Sequence, residues 1–105
     1  MPREVVVTAF FTPIEGKQDE LVEVLASVIP DVHGEPGCQY YALHDAGDGK
    51  LALIEKWDSQ QALEVHQRAE PIKRLNAKAQ GLLQEPPNVT VMNALPHGHS
   101  DKGSL

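Results

Sequence analysis

The chain has 105 residues, 41% of them hydrophobic, with 15 acidic against 9 basic residues and a formal charge of −6. That length fits one domain, the acidic balance repels nucleic acid rather than gathering it, and no apolar run approaches the ~20 residues that a membrane-spanning helix needs. The start, MPREVVVTAFF, lacks the apolar stretch and small-residue cleavage site of a signal peptide, and the lone Cys38 has no partner for an intrachain disulfide; a cytoplasmic location in a reducing compartment is expected.

Glu4 to Thr12, EVVVTAFFT, is rich in β-branched and aromatic residues and is closed by Pro13, which predicts a first strand. Lys17 to about His33 predicts a helix, because Leu21, Leu25, Val28, Ile29 and Val32 recur at three- and four-residue steps. Asp19, Glu20 and Glu23 lie early in it, where negative charge suits the helix dipole, and Pro30 predicts a kink or an end. GEPG at Gly34 to Gly37 is a turn, followed by a second strand at Cys38 to His44. Asp45 to Lys50, with its Asp-Gly pair, predicts a hairpin loop leading into a third strand at Leu51 to Trp57.

Asp58 is placed to cap the next helix, with Gln61 completing a capping box, and that helix is expected from about Ser59 to Arg68. Pro71 suits the first turn of a further helix that carries Ile72, Leu75, Ala79, Leu82 and Leu83 to about Leu83. Asn88 to Leu95 reads as the last strand. Residues 1–95 therefore form one domain, and the polar residues 96–105 a disordered tail. The order β-α-β-β-α-β is the ferredoxin-like α+β arrangement, an antiparallel sheet with helices on one face.

The strands are apolar on both sides. Val5, Val7, Ala9 and Phe11 alternate with Val6, Thr8 and Phe10, and Leu51 and Leu53 with Ala52 and Ile54. Helices can cover one face only, and a bare second face is the kind of patch monomers avoid. A second copy pressed sheet to sheet as a two-fold homodimer is the expected remedy, since the tail is too polar to serve.

Four pieces of the chain stand together: PGC at Pro36 to Cys38, Tyr40-Tyr41, IEKW at Ile54 to Trp57, and ALEVH at Ala62 to His66. With these the chain resembles the antibiotic biosynthesis monooxygenase family of dimeric α+β barrel proteins, over roughly Val5 to Leu95. The resemblance implies dimerisation through the sheets and a pocket between sheet and helices. It also implies a choice of reactions: oxidation of polycyclic phenols without metal or flavin, quinol oxygenation, haem degradation, or isomerisation of a phosphorylated signalling molecule. The haem-degrading branch uses an Asn on the first strand, a Trp on the third and a His on the helix. Trp57 and His66 stand in comparable places, but EVVVTAFFT has no Asn, which argues against that branch.

Within this frame His66 is the expected catalytic base, its pKa near neutrality suiting proton transfer. Glu55, on the same strand face as Leu53 and Trp57, is expected to orient it, or else to form an ion pair with a residue such as Arg68. Trp57 and Tyr41 are expected to position an aromatic substrate, although Trp57 also suits a core position closing the sheet end. Phe10, Phe11 and Met92 line either pocket or core, with Phe10 and Met92 counted among the substrate contacts. Cys38 reads as a small apolar residue, and His97 and His99 on the tail are weak evidence for a metal. No metal or other cofactor is expected. The expected function is a cofactor-independent monooxygenase joining dioxygen to a small aromatic phenol or quinol. Its rivals are an isomerase or degrading enzyme for a small oxygenated metabolite, and a non-catalytic ligand-binding dimer.

Overall fold

Val5, Val7, Ala9 and Phe11 all point to one side of the first strand and are all buried, which fixes where the core lies. The computed structural model describes residues 3–105. Its elements are β1 (Val5–Phe11), α1 (Gln18–His33), β2 (Cys38–Gly47), β3 (Lys50–Trp57), α2 (Gln60–Gln67), α3 (Glu70–Ala79) and β4 (Asn88–Met92). The four strands form one antiparallel sheet in the order β2-β3-β1-β4, the ferredoxin-like α+β arrangement.

Helix α1 buries Leu21, Leu25, Val28 and Val32, one per turn, and packs on β2 and α3. It runs unbroken through Pro30 to His33, so the proline does not end it. The stripe Val28–Val32 spans the proline, and burying both residues offsets the missing backbone hydrogen bond. Helix α2 is capped by Ser59, whose Oγ accepts from the Ala62 N–H, rather than by Asp58. Asp58 is engaged elsewhere, accepting from the Gln39 side-chain amide at 2.7 Å.

Three boundaries differ from the sequence reading by three residues or more, and one of them is β4, which ends at Met92 rather than Leu95. The β2–β3 hairpin extends to Gly47↔Lys50, leaving a two-residue loop in which Asp48 (φ 52°) and Gly49 (φ 78°) are both left-handed. That is the turn whose twist matches the flanking strands, so the ladder continues through polar residues that carry no strand signal of their own. Helix α3 stops at Ala79, not Leu83. Gln80 leaves the helical region at ψ 129°, Gly81 follows at φ 87°, and the Leu82 N–H closes the turn on the Ala79 carbonyl; beyond it the Ile14 N–H donates to Leu82 and the Gln84 N–H to Thr12. Leu82 is still buried, but outside the helix.

The sheet divides cleanly. Tyr41, Leu53, Glu55, Trp57, Val5 and Val7 face the helices and are buried or nearly so. The open face carries Tyr40, Ile54, Val6, Phe10 and Met92, of which Tyr40, Phe10 and Met92 are exposed. Beyond β4, residues 93–105 are irregular, with a turn closed by the Gly103 N–H on the His99 carbonyl; the Lys56 ammonium donates to the Leu105 carbonyl.

Gly37 (φ 82°) joins the α1–β2 turn to α2, and a Cβ there would lie 2.7 Å from that of Ala62. Its carbonyl also accepts from the Asp58 N–H at 2.8 Å. Gly37→Ala is expected to destabilise the fold by about 1–3 kcal/mol through overpacking and positive-φ strain. Urea unfolding of the variant checks this, and an unchanged midpoint refutes the close approach.

Candidate active site

The period of two along β3 places Leu53, Glu55 and Trp57 on the helix side of the sheet. Glu55 lies between two neighbours in register, Tyr41 on β2 and Val7 on β1. A carboxyl in that setting needs a donor, and the chain supplies one two residues on: the Trp57 indole N–H donates to Glu55 Oε1 at 3.0 Å. Expectation and structure part here. Glu55 does not hold His66, nor does it pair with Arg68; it holds the indole.

His66 occupies the last turn of α2 and is only 4% exposed. Its ring lies over Trp57, with centroids 4.4 Å apart and planes tilted by 32°, and meets Tyr41 edge-on at 5.4 Å. Its Nδ1 pairs with Glu35 Oε1 at 2.8 Å. Glu35 was not anticipated, because an acidic residue in a GEPG turn ordinarily points to water. The usable signal was the pairing of Cys38 with Trp57, which brings that turn over the start of α2.

A cavity of about 140 Å³ opens beside these groups, between the sheet and helices α2 and α3. Its lining includes Tyr41, Glu55, His66, Leu63, Ile72 and Val89. The second nitrogen of His66, the Tyr41 hydroxyl and Glu55 Oε2 have no protein partner among the described residues and are not sealed, so together with Gln67 and Asn76 they are the polar groups a ligand meets. Trp57 is wholly buried and backs His66 instead of touching the cavity; the reading of it as a core residue is the one that holds. Phe10 and Met92 belong to the open face of the sheet, on the far side from the cavity, because the alternation of β1 and β4 sends them there. Phe11 is a core residue at the cavity wall. A larger groove of about 480 Å³ follows the edge of β2, but its histidine, His33, is bound to the Tyr41 carbonyl.

Burial sets the electrostatics. It pushes the Glu55 carboxyl up to about 7, against the pull of the Trp57 N–H and with added repulsion from Glu35. It raises Tyr41 far above an ordinary phenol, helped by the charges of Glu55 and Glu35. It lowers His66, with Glu35 pulling the other way. Cys38 is raised as well, by burial and then by the same two carboxylates, so it is no activated thiol. The arrangement can accept a proton at His66, donate a hydrogen bond from Tyr41, and hold a protonated carboxyl at Glu55 near neutral pH. Among the described residues, no cluster of three His, Cys, Asp or Glu side chains converges as a metal site, and no helix is long and apolar enough to cross a membrane.

Because the folded state keeps Glu55 protonated up to about pH 7 while the unfolded chain ionises near 4.5, this group favours folding fully below 4.5. The contribution is lost as pH rises to about 7, an amount on the order of 3 kcal/mol. Glu55→Gln keeps an acceptor for the indole and removes the ionisation. It is expected to raise the melting temperature above pH 7 and to leave it little changed at pH 4. Thermal scans between pH 4 and pH 8 check this; a variant that tracks the parent throughout refutes it.

With the geometry in place, the comparison with known proteins is direct. The family model described as antibiotic biosynthesis monooxygenase matches residues 4–78. "Putative monooxygenase Rv0793" of Mycobacterium tuberculosis is 32% identical over 96 residues, covering 90% of this chain and 95% of that protein. Its solved structure superimposes with a TM-score of 0.81, at 31% identity over 92% of this chain and 98% of that one. SO0527 from Shewanella oneidensis superimposes at 0.80 with 28% identity, over 89% of this chain and 92% of its own. A Nitrosomonas europaea structure described under the same family name reaches 0.84 at 15% identity, over 93% and 97% of the two chains, a likeness of fold alone. The chain belongs to the antibiotic biosynthesis monooxygenase family.

Proposed function

We propose that this chain is a cofactor-independent monooxygenase that oxidises a single-ring phenol or quinol with dioxygen. The supporting observation is the cavity of about 140 Å³ beside His66, lined by apolar side chains and by the unpaired polar groups of Tyr41, Glu55 and His66. An apolar cavity of roughly 150 Å³ accommodates benzene, so one ring is the natural occupant. No Lys or Arg lines it, which disfavours a phosphorylated metabolite. The space is open beside His66 instead of being filled by side chains, which disfavours a purely structural role.

The free nitrogen of His66 takes the phenolic proton, and the Tyr41 hydroxyl, held protonated by burial, donates to the substrate oxygen. The phenolate passes one electron to dioxygen. The phenoxyl and superoxide radicals then join at a ring carbon that bears hydrogen, para to the oxygen in a phenol and ortho to it in a quinol, and His66 returns its proton to the peroxide. Loss of the ring C–H proton with the outer hydroxide releases water and leaves a quinone. One phenol and one dioxygen give one quinone and one water, and the ring supplies all four electrons. The apolar walls keep bulk water from the radical pair.

In an oxygen electrode with a panel of single-ring phenols, consumption matching quinone formed, without hydrogen peroxide, is expected. His66→Ala is expected to lower kcat by about 100-fold or more. Turnover unchanged in that variant refutes the role of His66, and turnover that persists without oxygen favours an isomerase.

We also propose that the working form is a homodimer joined through the open sheet face. Phe10 at 43%, Tyr40 at 54% and Met92 at 40% exposure make that face apolar where a monomer should be polar. Sedimentation at micromolar concentration is expected to give a dimer that Tyr40→Lys with Phe10→Lys dissociates. A parent chain that sediments as a monomer refutes the interface.

A further inference from the structure

Glu35 enters none of the steps above, yet its placement is unusual for a turn residue. Its side chain is 12% exposed; Oε1 lies 2.8 Å from His66 Nδ1, and Oε2 is sealed from solvent without any hydrogen-bond partner. A buried carboxylate oxygen without a donor is costly and ordinarily absent. The turn that holds it is tied at both ends. The Glu35 N–H donates to Val32, the Cys38 N–H donates to Glu35, and the Asp58 N–H donates to Gly37.

We propose that Glu35 is the positioning residue for His66: it pins the imidazole as the Nδ1–H tautomer, leaves Nε2 bare toward the cavity, and stabilises the imidazolium formed when Nε2 accepts a proton. The assignment as a partner of the base rests on the reading of His66 given above. A neutral imidazole has one N–H, and an acceptor at 2.8 Å from Nδ1 keeps it there. At rest the under-partnered carboxylate meets a neutral donor; after proton uptake it meets a cation. The contact is therefore stronger in the charged state than in the resting one, which is the condition for helping the chemical step. Trp57 acts in the same sense from the other side of the ring, presenting its π face 4.4 Å away.

The other groups that face His66 do not compete for this role. Glu55 on β3 is engaged by the indole, Tyr41 on β2 stays protonated, and Cys38 at the start of β2 is a neutral thiol. From α3 the facing residues Ile72, Leu75 and Asn76 carry no charge. Burial depresses His66 and Glu35 opposes it, so removing the charge of Glu35 must lower the histidine further.

Nitrogen-15 spectra of the full chain, titrated with pH, read tautomer and midpoint without any substrate. In the parent, His66 is expected to be protonated at Nδ1 and bare at Nε2 in its neutral form. Glu35→Gln retains an acceptor, so the tautomer should persist while the midpoint moves to lower pH. Glu35→Asp keeps the charge but shortens the reach, so the tautomer preference should weaken. With an active substrate, kcat of Glu35→Gln should fall between the parent and His66→Ala, with KM little changed. A parent protonated at Nε2, or a midpoint that ignores Glu35→Gln, overturns the proposal. Spectra as expected together with His66→Ala at full turnover uphold the pinning and refute the base.

Discussion

A carboxyl group at the centre of an apolar sheet face is the constraint on which the site depends. Glu55 stands where the alternation of β3 calls for another leucine, flanked in register by Tyr41 and Val7. Such a group is tolerated only when it is neutral or supplied with donors. The Trp57 indole gives it one hydrogen bond, and burial moves its ionisation to about pH 7. The consequence spreads outward. Trp57 must present its N–H edge toward Glu55, and its face is then left for His66 to lie upon. The imidazole, set by that face, reaches Glu35 on one side and the cavity on the other.

The site therefore holds two carboxyls, one imidazole and one phenol, and no cation lines it. Glu35 repels negative charge from Glu55, both carboxyls repel it from Tyr41, and burial lowers His66 against the pull of Glu35. The region therefore resists gaining negative charge, which opposes a ligand that arrives as an anion. The identity of the groups matters less here than their isolation from water, since the same four side chains in solvent would influence one another weakly.

Much of the fold was legible because it rests on periodicity. The stripe Leu21–Leu25–Val28–Val32 and the alternation of β1 specified which faces are buried, and the structure follows both. Tyr40 and Tyr41, adjacent on β2, face opposite sides by the same rule, one exposed and one buried. Boundaries set by single glycines were less legible. Gln80 leaves the helical region and Gly81 (φ 87°) completes the turn that follows α3, and nothing in the apolar pattern through Leu83 announces it. His66, Glu55 and Tyr41 meet at one cavity because strand and helix patterns place them there, whereas the expected partner of Glu55 is not the one it has. Glu55 was paired with His66 because both belong to one strand–helix unit, yet the indole two residues away reaches Glu55 first. Glu35 was invisible because local composition describes a turn, and only the long-range register of Cys38 with Trp57 brings that turn inward. Phe10 and Met92 were misplaced for a related reason: parity along a strand is readable, but the face of the sheet that carries the cavity is not.

The two sides of the sheet are chemically separate, and this bears on how association and chemistry are divided. Along β3, Glu55 faces the cavity while Ile54 and Lys56 face the opposite way, and no residue serves both. Nothing is shared between the two functions except the backbone of the sheet. Contact across the open face would then hold the strands flat and in register without reaching the titratable groups. At the β4 edge the separation is less complete. Val89 is in register with Ala9, lines the cavity, and is still 51% exposed. The helices do not extend over that strand, so the cavity meets solvent there. A ligand entering past Val89 would encounter apolar wall first and the polar groups of Tyr41, Glu55 and His66 only at depth, losing its water before its proton. That order of events disfavours a ligand whose hydration is strong.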